Sequence, residues 1–157
     1  MEKFFIRRAI IDDVESITNL FHDTVLHVNA KDYSPEQIKV WLKSADNKER
    51  WLNKILQQYF IVAIVDDSIV GFASITSDGY LDFMYVSKDH QQKNIATKLL
   101  SELESYANEN RISTIISDVS VTAKPFYLKS GFELIKEQSV KIEGIELINY
   151  RVEKQLK

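Results

Sequence analysis

Between Tyr59 and Val86 the chain commits itself to a sheet. FIVAIV, a polar break at Asp66-Asp67-Ser68, and IVGFASI are two apolar, β-branched runs around a short turn, the pattern of a β-hairpin. Asp78-Gly79 then turns the chain into a third strand, Tyr80 to Val86.

The flanking segments supply the rest of a domain. Residues 3–8 (KFFIRR) read as a short first strand. Asp12 stands three residues before Glu15, a capping-box pattern, and Val14, Ile17, Leu20, Phe21, Val25 and Val28 follow at helical spacing. That helix is expected to run to about His27. Ser34 as N-cap and Pro35 in the first turn open a second helix, with Ile38, Trp41 and Leu42 on its apolar face. The polar run Ala45 to Arg50 breaks this pattern, and Trp51, Leu52, Ile55 and Leu56 indicate one more short helix. After the third strand, Ile95, Leu99, Leu100, Leu103, Tyr106 and Ala107 form one stripe of a long helix. Thr114 to Val119 is short and β-branched, as a buried strand should be. Pro125 to Lys129 reads as a brief helix stopped by Gly131. Two closing strands, about Phe132–Ile142 and Glu146–Glu153, are joined by Glu143-Gly144. The order predicts one α/β domain of the α+β sandwich type, spanning 1–157 around a mixed sheet.

Composition narrows the function classes. A chain of 157 residues can bury a sizeable core, and 45% hydrophobic with 27% charged residues excludes disorder. The formal net charge is −3 and no basic block stands out, which argues against nucleic acid as the main partner. Cysteine is absent, so disulfides, a thiolate nucleophile and Cys-based zinc sites are ruled out, and no metal is expected. The opening MEKFFIRRAIIDD is interrupted by Arg7 and Arg8, too short an apolar core for a signal peptide, and no run approaches a membrane span. The cytoplasm is the expected compartment.

Two segments carry chemistry. In the first, a strand ends at Val86 and a helix starts at Ile95, with QQKNIA (Gln91 to Ala96) between them. A helix N-terminus offers unpaired N–H groups and a partial positive charge, so it binds anions without special side chains. Lys88, Lys93 and Lys98 lie close in sequence. Taken alone the segment fits a phosphate cradle or an ordinary connection, while the absence of GK[ST] excludes a P-loop. The second segment is SVTAKPFYLKSGF, Ser120 to Phe132. Its Tyr127 suits either a core aromatic or a proton donor to a departing thiolate, since phenol and thiol acidities differ by only about 1.5 pK units.

Together, in this order, the two segments resemble the GNAT family of acetyl-coenzyme A-dependent N-acetyltransferases. Gln91-Gln92-Lys93-Asn94-Ile95-Ala96 fits the family's pyrophosphate pattern Q/R-x-x-G-x-G/A except at the first glycine. Ser120, Ala123, Phe126, Tyr127, Gly131 and Phe132 match N-x-x-A-x-x-F/L-Y-x-x-x-G-F with Ser for Asn. YSPEQIKVW (Tyr33 to Trp41), GFASI and GYLDFMYV extend the likeness over nearly the whole chain, toward a subgroup of small bacterial, YafP-like acetyltransferases.

The resemblance implies the GNAT fold: a mixed, mostly antiparallel central sheet flanked by helices and splayed at the cofactor site. It implies acetyl-CoA as acetyl donor, held by the backbone of Met84, Tyr85 and Val86. The pyrophosphate would lie on Gln91, Gln92, Lys93, Asn94, Ile95, Ala96 and Thr97, with Ser120 as a further contact. Tyr127 would be the general acid, and the amide near Val86 an oxyanion donor. Amine attack would be direct, with no acyl-enzyme. Asn94 stands where glycine often takes positive φ, which Asn tolerates at a cost of about 1 kcal/mol. Asp82 is the first candidate for the general base, with Tyr85, Asp118, His22 and His27 behind it, and ordered water as the alternative to any side chain. Trp41, Trp51 and Tyr33 are candidates for the acceptor wall. The expected partner is a small-molecule or protein amine, with neither nucleic acid nor membrane, in a monomer or homodimer. The competing class is a non-catalytic acyl-CoA-binding or regulatory module on the same fold.

Overall fold

A computed structural model describes residues 3–156; Met1, Glu2 and Lys157, the outermost residues of the expected domain, lie outside the described residues. The strands are β1 (Phe5–Arg8), β2 (Tyr59–Val65), β3 (Ser68–Ile75), β4 (Tyr80–Val86), β5 (Thr114–Ser120), β6 (Glu133–Ile142) and β7 (Ile145–Gln155). The helices are α1 (Val14–His27), α2 (Pro35–Ser44), α3 (Lys48–Gln57), α4 (Ile95–Glu109) and α5 (Lys124–Lys129). The strands form one sheet in the order β1-β2-β3-β4-β5-β7-β6. Neighbours are antiparallel except β4 and β5, which run parallel and pair only at Tyr80↔Ile116 and Leu81↔Ser117. Beyond Leu81 these two strands part, and the splay opens the sheet. This is the mixed, mostly antiparallel sheet, splayed and flanked by helices, that the resemblance implied.

The β2–β3 and β6–β7 hairpins turn on residues in the left-handed region, as tight two-residue turns require. Asp66 and Asp67 have φ of 47° and 65°, and Glu143 and Gly144 have 50° and 80°. Ser68, expected in the first turn, instead pairs with Val65 as a strand residue.

FIVAIV is buried on both faces because the sheet has a helical layer on each side. Phe60, Val62 and Phe72 pack against Phe21, Val25, Trp51 and Ile55 from α1 and α3. Ile61, Ala73 and Leu81 pack against Leu99 and Leu103 of α4 and Tyr127 of α5. Leu99 and Leu103 have no exposed surface, and each such burial contributes about 1.5–3 kcal/mol. Trp51, expected as a possible acceptor wall, belongs to the first of these cores and stacks on Phe83 with ring centroids 4.7 Å apart.

Local capping differs from expectation at one helix and matches at another. α1 begins after a 3-10 turn at Ile11–Asp13, with Asp13 rather than Asp12 at its N-cap. The Asp13 carboxylate accepts from Ile10 N–H at 2.8 Å and binds Arg7 through both oxygens at 2.8 and 3.0 Å, a partner on β1 that a local cap rule does not see. Ser34 does cap α2: its Oγ accepts from Gln37 N–H at 3.1 Å while Gln37 Oε1 accepts from Ser34 N–H at 2.8 Å. α3 starts inside the polar run, capped by Asn47, whose Oδ1 accepts from Arg50 N–H. β5 is buried on one face only: Ile115, Ser117 and Val119 point into the core, and Asp118 and Ser120 are half-buried opposite them.

Candidate active site

A cleft of about 680 Å³ opens where β4 and β5 part, bounded by the α4 N-terminus, α5 and the α1–α2 connection. Every residue that the sequence nominated for catalysis or cofactor contact lines it, except Lys93, which is exposed outside the lining. Of the remaining base candidates, Asp118 lines the cleft, and His22 and His27 do not. His27 instead pairs with Asp23 one turn back on α1.

The loop before α4 is built for backbone donation. Asn94 sits in the left-handed region, φ 66° and ψ 10°, as the N-cap of α4, and Gln92 shares that conformation with φ 58°. The first helical bond runs from Lys98 N–H to Asn94 O at 3.0 Å, so the N–H groups of Ile95, Ala96 and Thr97 precede the helical ladder. Ile95 to Thr97 line the cleft, where these amides can meet an anion. The sequence pointed to Asn94 because glycine is usual there; nothing marked Gln92 as a second left-handed residue.

The β4 backbone offers a second row of polar groups. Ser87 N–H bonds to Val70 O on β3 at 2.7 Å. Because successive residues in a strand point their backbone groups to opposite edges, those of Met84 and Val86 face the splay. The Val86 carbonyl accepts from Gln91 Nε2 at 2.6 Å, which ties the anion loop to the strand end.

Tyr127 is 2% exposed, on the floor of the cleft. Ser117, whose Oγ donates to Leu81 O at 2.8 Å, lies beside the Tyr127 phenol. Burial drives the Tyr127 phenol well above its ordinary value, the nearby Tyr85 adds to this, and the Ser117 bond opposes it. The group stays protonated throughout the neutral range.

Asp82 occupies a β-bulge. Leu81 and Phe83 pair with Ile75 and Ser74, and Asp82 between them has no partner on β3. Bulges re-aim side chains, and this one turns Asp82 toward α3. Its Oδ2 accepts from Lys54 Nζ at 2.8 Å and Gln58 Nε2 at 2.9 Å. Asp118 is held more completely. Arg151 grips it with Nε on Oδ1 and NH2 on Oδ2, both at 2.9 Å, Gln138 Nε2 donates to Oδ1 at 2.8 Å, and Tyr80 donates to Oδ2 at 2.9 Å. Burial pushes Asp118 upward, but the bonds from Arg151, Gln138 and Tyr80 outweigh it and hold the carboxyl below its usual range.

Ser120 Oγ accepts from Ala123 N–H at 3.1 Å, stapling the turn into α5, and from Asn29 Nδ2 at 3.3 Å. Tyr33 bridges the same region: its hydroxyl donates to Ile148 O at 2.8 Å and accepts from Val121 N–H at 2.9 Å, and its ring lies edge-on to Trp41 at 5.2 Å. Asn29, Ser117 and Asn149 also line the cleft, and sequence reasoning did not name them. Their partners lie far along the chain, so no local spacing signals them.

The geometry has counterparts among known proteins. The acetyltransferase (GNAT) domain pattern matches residues 29–154. The chain is 29% identical over 150 residues to the uncharacterized N-acetyltransferase YafP of Escherichia coli K12, covering 96% of this chain and 95% of that one. It is 26% identical over 141 residues to the spermidine N(1)-acetyltransferase of Thermoplasma acidophilum, covering 82% of this chain and 88% of that one. A crystal structure of a GCN5-related N-acetyltransferase from Rhodopseudomonas palustris superposes with a TM-score of 0.94 at 27% identity, covering 99% of this chain and 98% of that one. No helix among the described residues is long and apolar enough to cross a membrane. With the domain pattern spanning most of the sequence and the splayed sheet behind it, the chain belongs to the GNAT family of acetyltransferases, as a YafP-like member.

Proposed function

We propose that the cleft binds acetyl-CoA across the splay and passes its acetyl group directly to a primary amine. One observation carries this reading: the α4 amides, the splay-facing β4 backbone and the Tyr127 hydroxyl converge on a single cleft. The residues fit the donor. Ile95, Ala96 and Thr97 supply N–H groups and the positive end of α4 for the pyrophosphate, and Met84 and Val86 supply strand-edge groups for an amide-bearing arm.

In the reaction the amine nitrogen forms a C–N bond to the acetyl carbon, and the C–S bond breaks. The Val86 N–H stabilises the developing oxyanion. Tyr127 gives its proton to the departing thiolate, and the proton lost from nitrogen passes to Asp82 or to water. Both protein bonds to Asp82 fall on Oδ2, so Oδ1 is the atom assigned to that transfer. The raised pKa of Tyr127 keeps its proton in place until sulfur becomes negative.

The competing reading, a non-catalytic acyl-CoA-binding module, draws on Ser120, whose hydroxyl is committed to the α5 turn and to Asn29. The deciding experiment measures the melting temperature with acetyl-CoA and the thiol released from acetyl-CoA over a panel of amines. A rise in melting temperature with amine-dependent thiol release supports acetyl transfer. A rise without release from any amine supports the binding module, and neither response removes both readings.

A further inference from the structure

We infer that the acceptor is a primary monoamine with an aromatic or branched apolar body, not a polyamine or an amino acid. The inference rests on the acetyl-transfer reading above and concerns the charge inventory of the same cleft. Among the described residues that line it there are two carboxylates, Asp82 and Asp118, and no lysine or arginine. Both carboxylates already have cationic partners. Lys54 lies 2.8 Å from Asp82, and Arg151 binds Asp118 through two bonds of 2.9 Å with Gln138 and Tyr80 beside it.

The attacking amine is neutral when it forms the C–N bond, so a monoamine brings no charge into the cleft at that moment. A polyamine keeps a second ammonium there, where Asp118 is committed to Arg151 and the Asp82 charge is already balanced by Lys54. An amino acid brings a carboxylate to a lining with no guanidinium or ammonium to receive it. Either uncompensated charge is costly to desolvate. Away from the α4 loop, Tyr33, Trp41, Val140, Ile142 and Leu147 give the cleft an apolar and aromatic face beside the neutral polar side chains of Asn29, Ser117 and Asn149. The Tyr33 hydroxyl is satisfied by Ile148 and Val121, which leaves its ring as a contact surface. Thr24 Oγ1 is buried at the lining without a hydrogen-bond partner, a polar anchor for a ligand.

The test is thiol release from acetyl-CoA with 2-phenylethylamine, isopentylamine, putrescine, spermidine and alanine, alongside the melting-temperature shift with acetyl-CoA alone. The monoamines are expected to show kcat/KM at least about tenfold above the others. Trp41→Leu should lower the monoamine kcat/KM by roughly tenfold with the acetyl-CoA shift unchanged. Lys54→Gln, which releases Asp82, should raise the ratio of spermidine to monoamine turnover. Spermidine or alanine matching the monoamines overturns the inference and leaves acetyl transfer standing, as does thiol release with putrescine, spermidine or alanine and with neither monoamine. Binding of acetyl-CoA without thiol release from any amine supports the binding module and overturns the inference together with acetyl transfer. An unchanged ratio in Lys54→Gln also counts against it. Neither a melting shift nor thiol release from any amine would instead overturn the acetyl-transfer reading beneath it.

Discussion

Replacing Asp118 by Asn isolates the strongest ion pair in the cleft wall. The substitution removes the charge but keeps one carbonyl oxygen, so part of the Gln138 and Tyr80 hydrogen bonding survives while Arg151 loses its counter-ion. The side chains of Arg151 and Asp118 are 36% and 20% exposed, between a surface pair and a buried one. Surface pairs are worth about 0–1 kcal/mol and breaking a buried pair costs about 3–5, which places this loss at about 2 kcal/mol. For a domain of this size each kcal/mol shifts the melting temperature by roughly 2–4 °C, so a drop of about 4–8 °C is expected at pH 7. Because the folded Asp118 carboxyl is held below its ordinary value, its contribution is complete above the unfolded value near pH 4 and is lost as pH falls through the folded one. Calorimetric melts of both proteins from pH 7 to pH 3 should therefore converge at the acid end. A difference below about 1 °C at pH 7, or a gap undiminished at pH 3, would refute the reasoning.

Three further substitutions probe the proposed chemistry. Tyr127→Phe should reduce kcat by about 10²–10⁴-fold with little change in acetyl-CoA affinity; unchanged kcat would remove the acid role. Asn94→Gly relieves a left-handed residue of about 1 kcal/mol of strain, so the acetyl-CoA melting shift should be equal or larger, and a large loss would assign the Asn94 side chain a contact of its own. Asp82→Asn should lower kcat, and an unchanged kcat would hand the proton to water.

The sequence revealed what local chemistry determines. The Asp66-Asp67 turn, the Ser34 cap and the apolar stripe of α4 each involve neighbours within a few residues, and each lies where expected. Asp12 misled because Asp13 has a stronger claim from Arg7 on β1, which no capping rule weighs. Trp51 looked available from its helix alone; its burial depends on Phe72 and Phe83, twenty and more residues onward. The site divides similarly. The α4 loop and Tyr127 announced themselves by motif, whereas Asn29 meets Ser120 and Asp118 meets Arg151 only once the sheet has formed. The pairing of Asp82 with Lys54 arises from a bulge, and bulges leave little trace in sequence.

The two-rung ladder between β4 and β5 also has a thermodynamic meaning. Strands β1–β4 form one continuous antiparallel ladder and β5–β7 another, and the sheet contributes little to joining them. The two ladders are natural units for separate opening, and native-state amide exchange would reveal them as two protection groups. A ligand lying across the splay links both groups, so its binding energy falls on their junction. Occupancy would then be recorded as merged exchange rates in β4 and β5.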